Sequence, residues 1–198
     1  YRFLPREEEN YLRDKVVLVT GAGGSIGSEL CRQVLACSPA KLLLVGHGEN
    51  SVVNLYRRFS KEEQRLSVPQ ILSVVDEEGL RRLFARWKPQ IVFHAAAHKH
   101  VDLMEQNRSE AVRNNVEGTR CLLKIVEEYR CERFLLISTD KAVDPINTMG
   151  RTKLLGELLT ALAREQNPNT DYRVVRFGNV LGSRGSVIPL FLEQIRRG

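Results

Sequence analysis

Short runs of apolar and β-branched residues alternate along the chain with longer stretches in which apolar residues recur every three or four positions. The short runs predict strands over 15–20, 41–45, 68–74, 90–97, 133–138 and 171–180. The longer stretches predict helices over 25–37, 49–63, 77–87, 109–128, 147–165 and 188–197. Such alternation is typical of a parallel sheet with helices on both faces. We therefore predict a Rossmann-like, doubly wound α/β fold over residues 15–198, preceded by a polar lead-in over residues 1–14.

The charge and cysteine content narrow the class of protein. The 30 lysines and arginines outnumber the 24 acidic residues and give a net charge of +6, but the basic residues are scattered along predicted helix faces. An anionic small molecule such as a nucleotide explains this excess as well as a nucleic acid would, and we predict no nucleic-acid partner. The 4 cysteines show no CxxC spacing, which favours free thiols in a reducing compartment and a cytoplasmic location.

The ends of the chain suggest how much of a protein it represents. No apolar run approaches the roughly 18–20 residues of a membrane-spanning helix, and no signal-peptide pattern is present. The sequence begins without methionine and stops inside a helical pattern, "EQIRRG". We expect a piece of a longer protein, in which any membrane contact is made by segments outside this chain, on the cytoplasmic face.

The segment "VTGAGGSIGSEL" places Gly21, Gly24 and Gly27 between the first predicted strand and the first predicted helix. Glycines there let the backbone turn and approach a pyrophosphate, and the helix N-terminus offers unpaired N–H groups. Ser25 can cap that helix, and Ile26 is a further predicted cofactor contact. A plain turn also uses glycines, but the strand before this segment and the helix after it favour a dinucleotide-binding domain.

The second strand gives information about the cofactor. An acidic residue that holds the adenosine ribose would end this strand, where the chain has Gly46 in "LLLVGHGEN". Without a carboxylate a 2′-phosphate is not repelled and His47 can donate to it, whereas Glu49 can still reach a ribose hydroxyl. The segment favours NADP slightly and leaves NAD open. Further predicted cofactor contacts near the second and third strands are Asn50, Ser73 and Val74.

The fourth strand ends in "FHAAAHKHVD". Its small residues would let a cofactor lie against the backbone; they are Ala95, Ala96 and Ala97. His94, His98 and His100 invite a metal site, but Lys99 would repel a cation and a closed zinc site needs further ligands. We predict no metal. Lys99 and His100 are better suited to an anionic substrate or to the nicotinamide side of the cofactor.

Five segments occur together in one order and spacing: "TGAGGSIG", "HAAAHKHV", "RNNVEGT", "STDKAVDPINTMGRTK" and "RFGNVLGSRGSVIP". On these segments the chain resembles the extended short-chain dehydrogenase/reductases, specifically the polysaccharide-biosynthesis branch of nucleotide-sugar 4,6-dehydratases. The resemblance runs from about residue 15 to residue 198. It implies a UDP-sugar substrate, in particular UDP-N-acetylglucosamine converted to a 4-keto-6-deoxy sugar, and a substrate-capping region beyond this chain. We also expect a homo-oligomer.

The resemblance assigns roles to a group of residues after the fifth strand. In such a reaction hydride leaves C4, a base removes the C5 proton, an acid helps water leave from C6, and hydride returns to C6. By similarity Asp140 is the acid toward the C6 hydroxyl, Lys141 is the base at C5, and Thr139 hydrogen-bonds the C4 oxygen. An exposed ion pair in a turn is the alternative for an isolated Asp-Lys pair, but this pair lies inside a specific block.

Met149 and Lys153 occupy the family's Tyr-x-x-x-Lys positions and project from one helix face. Lys153 would hold the nicotinamide ribose. The tyrosine that accepts the C4 hydroxyl proton is absent, and a thioether has no titratable proton. Methionine at this place also occurs in large, membrane-anchored members of the branch, which this chain resembles most. The C4 proton would leave through Thr139 and Asp140 or a water, with Met149 as an apolar wall over the nicotinamide or sugar.

The remaining predicted contacts follow from the same resemblance. Asn115 is a structural or proton-relay residue and a cofactor contact. The diphosphate of the sugar nucleotide would be bound after the sixth strand by Asn179, Arg184 and Ser186. Two other functions remain open. A nucleotide-sugar 4-epimerase would not need the Asp140–Lys141 pair, and a non-catalytic NAD(P)-binding sensor or scaffold would explain the missing tyrosine.

Overall fold

The computed structural model describes residues 10–180, and its strands form one parallel sheet. The strands are β1 (Val16–Thr20), β2 (Lys41–Gly46), β3 (Ser67–Ile71), β4 (Ile91–His94), β5 (Arg133–Thr139) and β6 (Asp171–Phe177). Their order is β3-β2-β1-β4-β5-β6, which confirms the Rossmann-like prediction. Because the order reverses between β1 and β4, a ligand crevice is expected beyond the carboxyl ends of these two strands.

Helices connect the strands and cover the sheet. They are α1 (Ser25–Ala36), α2 (Glu49–Arg57), α3 (Lys61–Leu66), α4 (Glu77–Trp87), α5 (Val101–Gln106), α6 (Arg108–Val112), α7 (Gly118–Glu128) and α8 (Thr148–Gln166). A π-helical turn (Arg113–Glu117) joins α6 to α7, and a 3₁₀ turn (Asp140–Ala142) follows β5. No helix within residues 10–180 is both long and apolar enough to cross a membrane. The predicted helix over 188–197 and most of the lead-in lie outside the described residues.

The core has two layers, one on each face of the sheet. Successive residues of a strand point to opposite faces, so the uninterrupted apolar runs of β1 and β2 are buried on both sides. One layer packs β1 and β2 against α1 and α2, and includes Val17, Val19, Leu42, Leu44, Val34 and Val52. The other packs the central strands against α4 and α7, and includes Leu18, Leu43, Val92, Phe134, Leu80 and Leu122. Helices thereby pack against the sheet on both faces.

The single helix predicted over 49–63 is wrong, because the structure divides it into α2 and α3. Ser60 caps α3: its hydroxyl accepts from Glu63 N at 3.2 Å, and the Glu63 carboxylate accepts from Ser60 N at 2.8 Å. This reciprocal capping box has a sequence signature, Ser-x-x-Glu, within "SKEE". That signal could have located the break.

Two other predictions fail around β4. The predicted strand over 90–97 ends at His94, and the three alanines after it form the loop beyond the strand. The single helix predicted over 109–128 consists of α6, the π-helical turn and α7, and it is preceded by the unpredicted α5. The π turn buries both Asn114 and Asn115, which consecutive positions of a regular surface helix would not do.

Candidate functional site

The loop between β1 and α1 packs tightly against the loop after β4. Gly21 has a φ of +65°, and a Cβ there would lie 2.7 Å from Ala96 N and 2.8 Å from the Ala95 carbonyl oxygen. A Cβ on Gly27 would lie 2.7 Å from the Gly21 carbonyl carbon. Both positions therefore require glycine, the first for its backbone conformation and both for close approach. The loop over residues 21–24 (the glycine loop) thus packs against the loop over residues 95–97 (the alanine loop). The two loops meet at the switch point, where the strand order reverses between β1 and β4.

Gly24 differs from the other two glycines. It is the N-cap of α1, without a side-chain cap hydrogen bond, so the predicted cap by Ser25 is wrong and Ser25 is the first helical residue. A Cβ on Gly24 would have one close neighbour, the Gly21 carbonyl oxygen at 3.2 Å. The start of this 12-residue helix presents backbone N–H groups beside the cleft described next, as anion binding requires.

An open cleft of about 680 Å³, including solvent space at its mouth, lies beyond β1, β2 and β4. The predicted cofactor residues that line it are Gly21, Gly24, His47, Val74, Ala95, Ala96 and Ala97. Further lining residues, which were not predicted to contact the cofactor, are Gly23, Gly46, Gly48, Ser51, Leu72, His98 and Asn114. The lining within residues 10–180 does not include Ser25, Ile26, Gly27, Glu49, Asn50, Ser73, Lys99, Asn115 or Lys153. Most of the residues that line the cleft are small, so backbone atoms form much of its surface.

The histidines after β4 lie in three different environments. His94 is buried between Thr20 Oγ1, 2.7 Å from its Nδ1, and Thr119 Oγ1, 2.9 Å from its Nε2. The Thr119 hydroxyl donates to the Asn115 carbonyl, so His94 Nε2 carries the ring hydrogen and donates to Thr119. Burial, followed by the positive charge of Lys153, lowers the pKa of His94 to about 3. His94 is therefore a neutral structural residue.

His98 and His100 are more accessible. His98 lines the cleft, its Nε2 lies 3.3 Å from Glu110 Oε1, and its ring meets that of His47 edge-on at 6.5 Å. His100 is exposed at the N-terminus of α5. Within residues 10–180, no three His, Cys, Asp or Glu side chains are grouped so as to hold a metal ion. Lys99 and His100 are outside the lining of the cleft.

Asn115 joins three elements from a buried position in the π-helical turn. Its side-chain amide donates to the His98 carbonyl oxygen and to Thr152 Oγ1, each at 3.0 Å, and its Oδ1 accepts from His98 N at 2.8 Å. The neighbouring Asn114 side chain donates to the same oxygen at 3.0 Å and reaches the cleft. Asn115 thus fixes the alanine loop to α8, and these bonds explain an asparagine inside a helical segment.

The strand-end group predicted from the sequence is brought together. Thr139 Oγ1 donates to Asp140 Oδ1 at 2.9 Å, and Lys141 Nζ lies 3.2 Å from the same oxygen. Lys141 Nζ also lies 3.2 Å from Asn179 Oδ1, in the segment after β6. The hydrogen bonds from Thr139 and then Lys141 hold the pKa of Asp140 below its usual value. Arg184 and Ser186 lie outside the described residues.

Met149 and Lys153 lie on the first turns of α8 and are both buried. Met149 packs in a small apolar cluster with Met104 and Ala111. Lys153 Nζ donates to the Ile137 carbonyl oxygen of β5 at 2.6 Å. Burial lowers the pKa of Lys153 to about 8, and the negative charge of Glu157 opposes that shift. The Lys153 ammonium therefore lies at the end of β5, hydrogen-bonded to the residue before Ser138.

A buried polar network next to Lys153 was not predicted. Glu157 follows one turn later on α8, accepts from Arg176 Nε at 2.9 Å, and accepts from the Ser138 hydroxyl. Burial alone would raise the pKa of Glu157, but the hydrogen bonds from Arg176 and Ser138 outweigh it and the pKa is lowered. The network ties α8 to β5 and β6, and the sequence separation of its partners hides it from local patterns.

The sheet order, the glycine turn after β1 and the cleft at the switch point define a Rossmann-like α/β domain. The chain belongs to the polysaccharide biosynthesis protein family, whose model matches residues 17–198. Over 189 residues it is 50% identical to the capsular polysaccharide biosynthesis protein CapD of Staphylococcus aureus, a match covering 94% of this chain and 32% of that protein.

Other relatives have names of two enzyme types. The chain is 33% identical to a UDP-N-acetylglucosamine 4,6-dehydratase (inverting) of Campylobacter jejuni, with 93% of this chain and 54% of that protein covered. It is 35% identical to a UDP-glucose 4-epimerase of Rickettsia conorii, again with 93% and 54% covered. The X-ray structure of Pen from Bacillus thuringiensis matches with a TM-score of 0.89 and 34% identity, covering 94% of this chain and 58% of that one. The chain spans between 32% and 54% of these curated relatives.

Proposed function

We propose that this chain is the cofactor-binding catalytic part of an NAD(P)-dependent UDP-sugar 4,6-dehydratase, acting on UDP-N-acetylglucosamine in surface polysaccharide biosynthesis. The observation that carries the proposal is the contact of Thr139, Asp140 and Lys141 at the carboxyl end of β5. Elimination needs an acid and a base held side by side, and a strand terminus holds them rigidly. A simple oxidation or epimerisation at C4 does not need this pair.

A bound nicotinamide would accept the hydride from C4 and later return it to C6. Thr139 would bind the C4 oxygen and pass the proton of the C4 hydroxyl to Asp140, to which Thr139 already donates at 2.9 Å, either directly or through a water. Asp140, ionised in the resting site because its pKa is lowered, would thereby obtain the proton that it gives to the departing C6 hydroxyl as water. Lys141, whose Nζ lies 3.2 Å from Asp140 Oδ1, would first give one ammonium proton to solvent, and its neutral amine would then take the C5 proton. Lys141 would later return that proton to C5 and regain its own from solvent, so the protons balance without a tyrosine.

The cofactor would lie in the cleft with its pyrophosphate at the start of α1 and its adenosine ribose near Gly46 and His47. The residues present fit a dinucleotide, because glycines and alanines line much of the cleft and leave its backbone open to close approach. Lys153 would hold the nicotinamide ribose. Among the other predicted contacts, Lys99, His100, Asn179, Arg184 and Ser186 would bind the sugar nucleotide. The whole protein would be a homo-oligomer, cytoplasmic or at the cytoplasmic face of a membrane.

The assay that tests the proposal uses a full-length protein with UDP-N-acetylglucosamine and NAD(P). A product that has lost one water supports a dehydratase. A product of unchanged mass but inverted C4 supports the 4-epimerase, which the 35% identity to a UDP-glucose 4-epimerase keeps as second candidate. Cofactor binding without either product would support a sensor or scaffold.

Replacement of Gly24 by alanine should weaken NAD(P) binding without unfolding the protein. The new Cβ has one close neighbour, the Gly21 carbonyl oxygen at 3.2 Å, which must move by only a few tenths of an ångström, whereas a methyl group keeps a pyrophosphate from the helix N-terminus. We expect affinity to fall about tenfold or more, or 1.4 kcal/mol, by calorimetry. Gly27→Ala is the matched contrast: it should lower stability by about 1–3 kcal/mol. Unchanged affinity in Gly24→Ala would place the pyrophosphate elsewhere.

Replacement of His47 by aspartate should shift cofactor preference from NADP toward NAD. The carboxylate would repel a 2′-phosphate and accept from a 2′-hydroxyl, so the ratio of the two dissociation constants should change by about tenfold. Asn54→Asp adds the same charge on an exposed position of α2, away from the cleft, and should leave the ratio unchanged. If His47→Asp behaves like Asn54→Asp, His47 does not face the 2′ position.

A further inference from the structure

The first turn of α8 lies directly on the backbone of the 3₁₀ turn that carries Asp140 and Lys141. Gly150, the third residue of α8, makes this approach. A Cβ there would fall deep inside the van der Waals radius of the Lys141 carbonyl oxygen, and it would lie 3.2 Å from the Lys141 carbonyl carbon and 3.1 Å from Pro145 Cβ. Backbone atoms cannot swing aside as the end of a side chain can.

Close approach is the reason for glycine at this position. Apart from proline, glycine is the least favourable residue inside a helix. The φ of Gly150 lies outside the left-handed region, so its backbone conformation is open to any residue. The remaining reason for glycine is that a side chain at this position would have no space. Glycine at position 150 therefore lowers the helix propensity of α8 but allows direct contact between α8 and the 3₁₀ turn.

The contact is held from both sides. Asn147 Oδ1 accepts from Gly150 N at 2.7 Å and fixes the start of α8, and the Val143 N–H donates to the Asp140 carbonyl at 3.0 Å and closes the 3₁₀ turn. Lys153 lies further along the same helix. The contact at Gly150 thus sets the distance between the Asp140–Lys141 pair and Lys153.

We propose that Gly150 is a positioning residue that keeps the acid/base pair in register with α8 and the bound sugar. This inference rests on the proposed dehydratase function. An alanine would push the backbone of Lys141 outward, and a misplacement of about 1 Å in a catalytic group can cost on the order of 100-fold in rate. The phosphate-binding end of the cleft lies at β1 and β2 and would be unaffected.

The test compares Gly150→Ala with Gly156→Ala in the full-length protein. Gly156 is on the same helix, and a Cβ there would have ordinary contacts only, with Leu136 Cδ2 at 3.6 Å and Thr119 Oγ1 at 3.8 Å. Gly150→Ala should lower kcat for water loss by at least about tenfold while the KM for the UDP-sugar and the NAD(P) affinity change by less than about twofold. Gly156→Ala should leave all three near the parent values.

Equal kcat in the two variants would overturn the proposal and leave the dehydratase function standing. An equal loss of kcat and NAD(P) affinity in Gly150→Ala would also overturn it, because general damage to the fold would then suffice. If Gly150→Ala does not fold, Asn147→Ala loosens the same turn without adding an atom and should show the same selective loss of kcat. If the parent makes no 4-keto sugar, the dehydratase function fails. In that case the positioning role is tested by hydrogen exchange of the Val143 amide, whose hydrogen bond closes the 3₁₀ turn. This exchange must be faster in Gly150→Ala than in Gly156→Ala.

Discussion

Replacement of Lys141 by alanine in a full-length protein is expected to abolish exchange of the C5 proton of the substrate with solvent. Lys141 is proposed as the base at C5, and its Nζ lies 3.2 Å from both Asp140 Oδ1 and Asn179 Oδ1. In the proposed reaction the Asp140 carboxyl serves the C6 hydroxyl, and the Asn179 amide is not a base. We expect turnover to fall by on the order of 100-fold to 10,000-fold, the usual contribution of a general base. Mass spectrometry of product formed in deuterated water measures the exchange.

Lys124→Ala is the control for this experiment. Lys124 is an exposed lysine that pairs with Glu77 between α7 and α4 at 3.0 Å, so its loss tests removal of a lysine away from the site. Exchange and turnover should match the parent protein. If Lys141→Ala also keeps parental exchange, Lys141 has no part in the mechanism.

Replacement of Asp140 by asparagine separates two steps of the proposed reaction. The amide can still hydrogen-bond Thr139 but cannot deliver a proton to the C6 hydroxyl. Thr139 can pass the C4 proton to solvent instead, so water loss should slow more than C4 oxidation, which the absorbance of reduced nicotinamide reports. An equal slowing of both steps would contradict the assignment of Asp140 to C6.

The sheet was predictable because its signal is local. The apolar runs of β1 and β2 are buried on both faces, and such runs are a property of the sequence itself. The glycine loop was predictable for the same reason, since its strand, turn and helix are consecutive. The break at Ser60 was missed although its capping-box signal is local. The π turn was missed because Val112 and Val116 keep a four-residue apolar spacing across its start.

Contacts between distant segments could not be predicted in this way. Asn115 was assigned to the site by resemblance, but only the fold shows that it clamps His98 to Thr152. Arg176 finds Glu157 because β6 pairs with β5 and α8 packs across both. Asn114 and Asn115 are both buried, and Asn114 also lines the cleft; a π turn shifts the helix register by one residue, and tertiary packing decides such a shift.

Lys153→Ala is expected to cost far more than Met149→Leu, although the two residues share a turn of α8. Met149 is 3% exposed and packs against Met104 and Ala111, so leucine roughly conserves volume and should cost less than about 1.5 kcal/mol of stability, with a modest loss of activity. Lys153→Ala removes a buried ammonium and the proposed ribose anchor, and should lower turnover by about 100-fold or more. Thr139→Val should also slow C4 oxidation, by deleting the hydroxyl proposed to bind the C4 oxygen.

The pH dependence of cofactor binding is an independent test of the difference between Lys153→Ala and Met149→Leu. The Lys153 ammonium is present below its lowered pKa of about 8 and is lost above it, so NAD(P) affinity should fall as pH rises through that value in the parent protein. Met149→Leu keeps the ammonium and should show the same fall, whereas Lys153→Ala should bind weakly at every pH without this step. Calorimetric titrations between pH 6 and 10 would show it. A Met149→Leu protein as inactive as Lys153→Ala would contradict the apolar-wall interpretation and would give the sulfur a specific role.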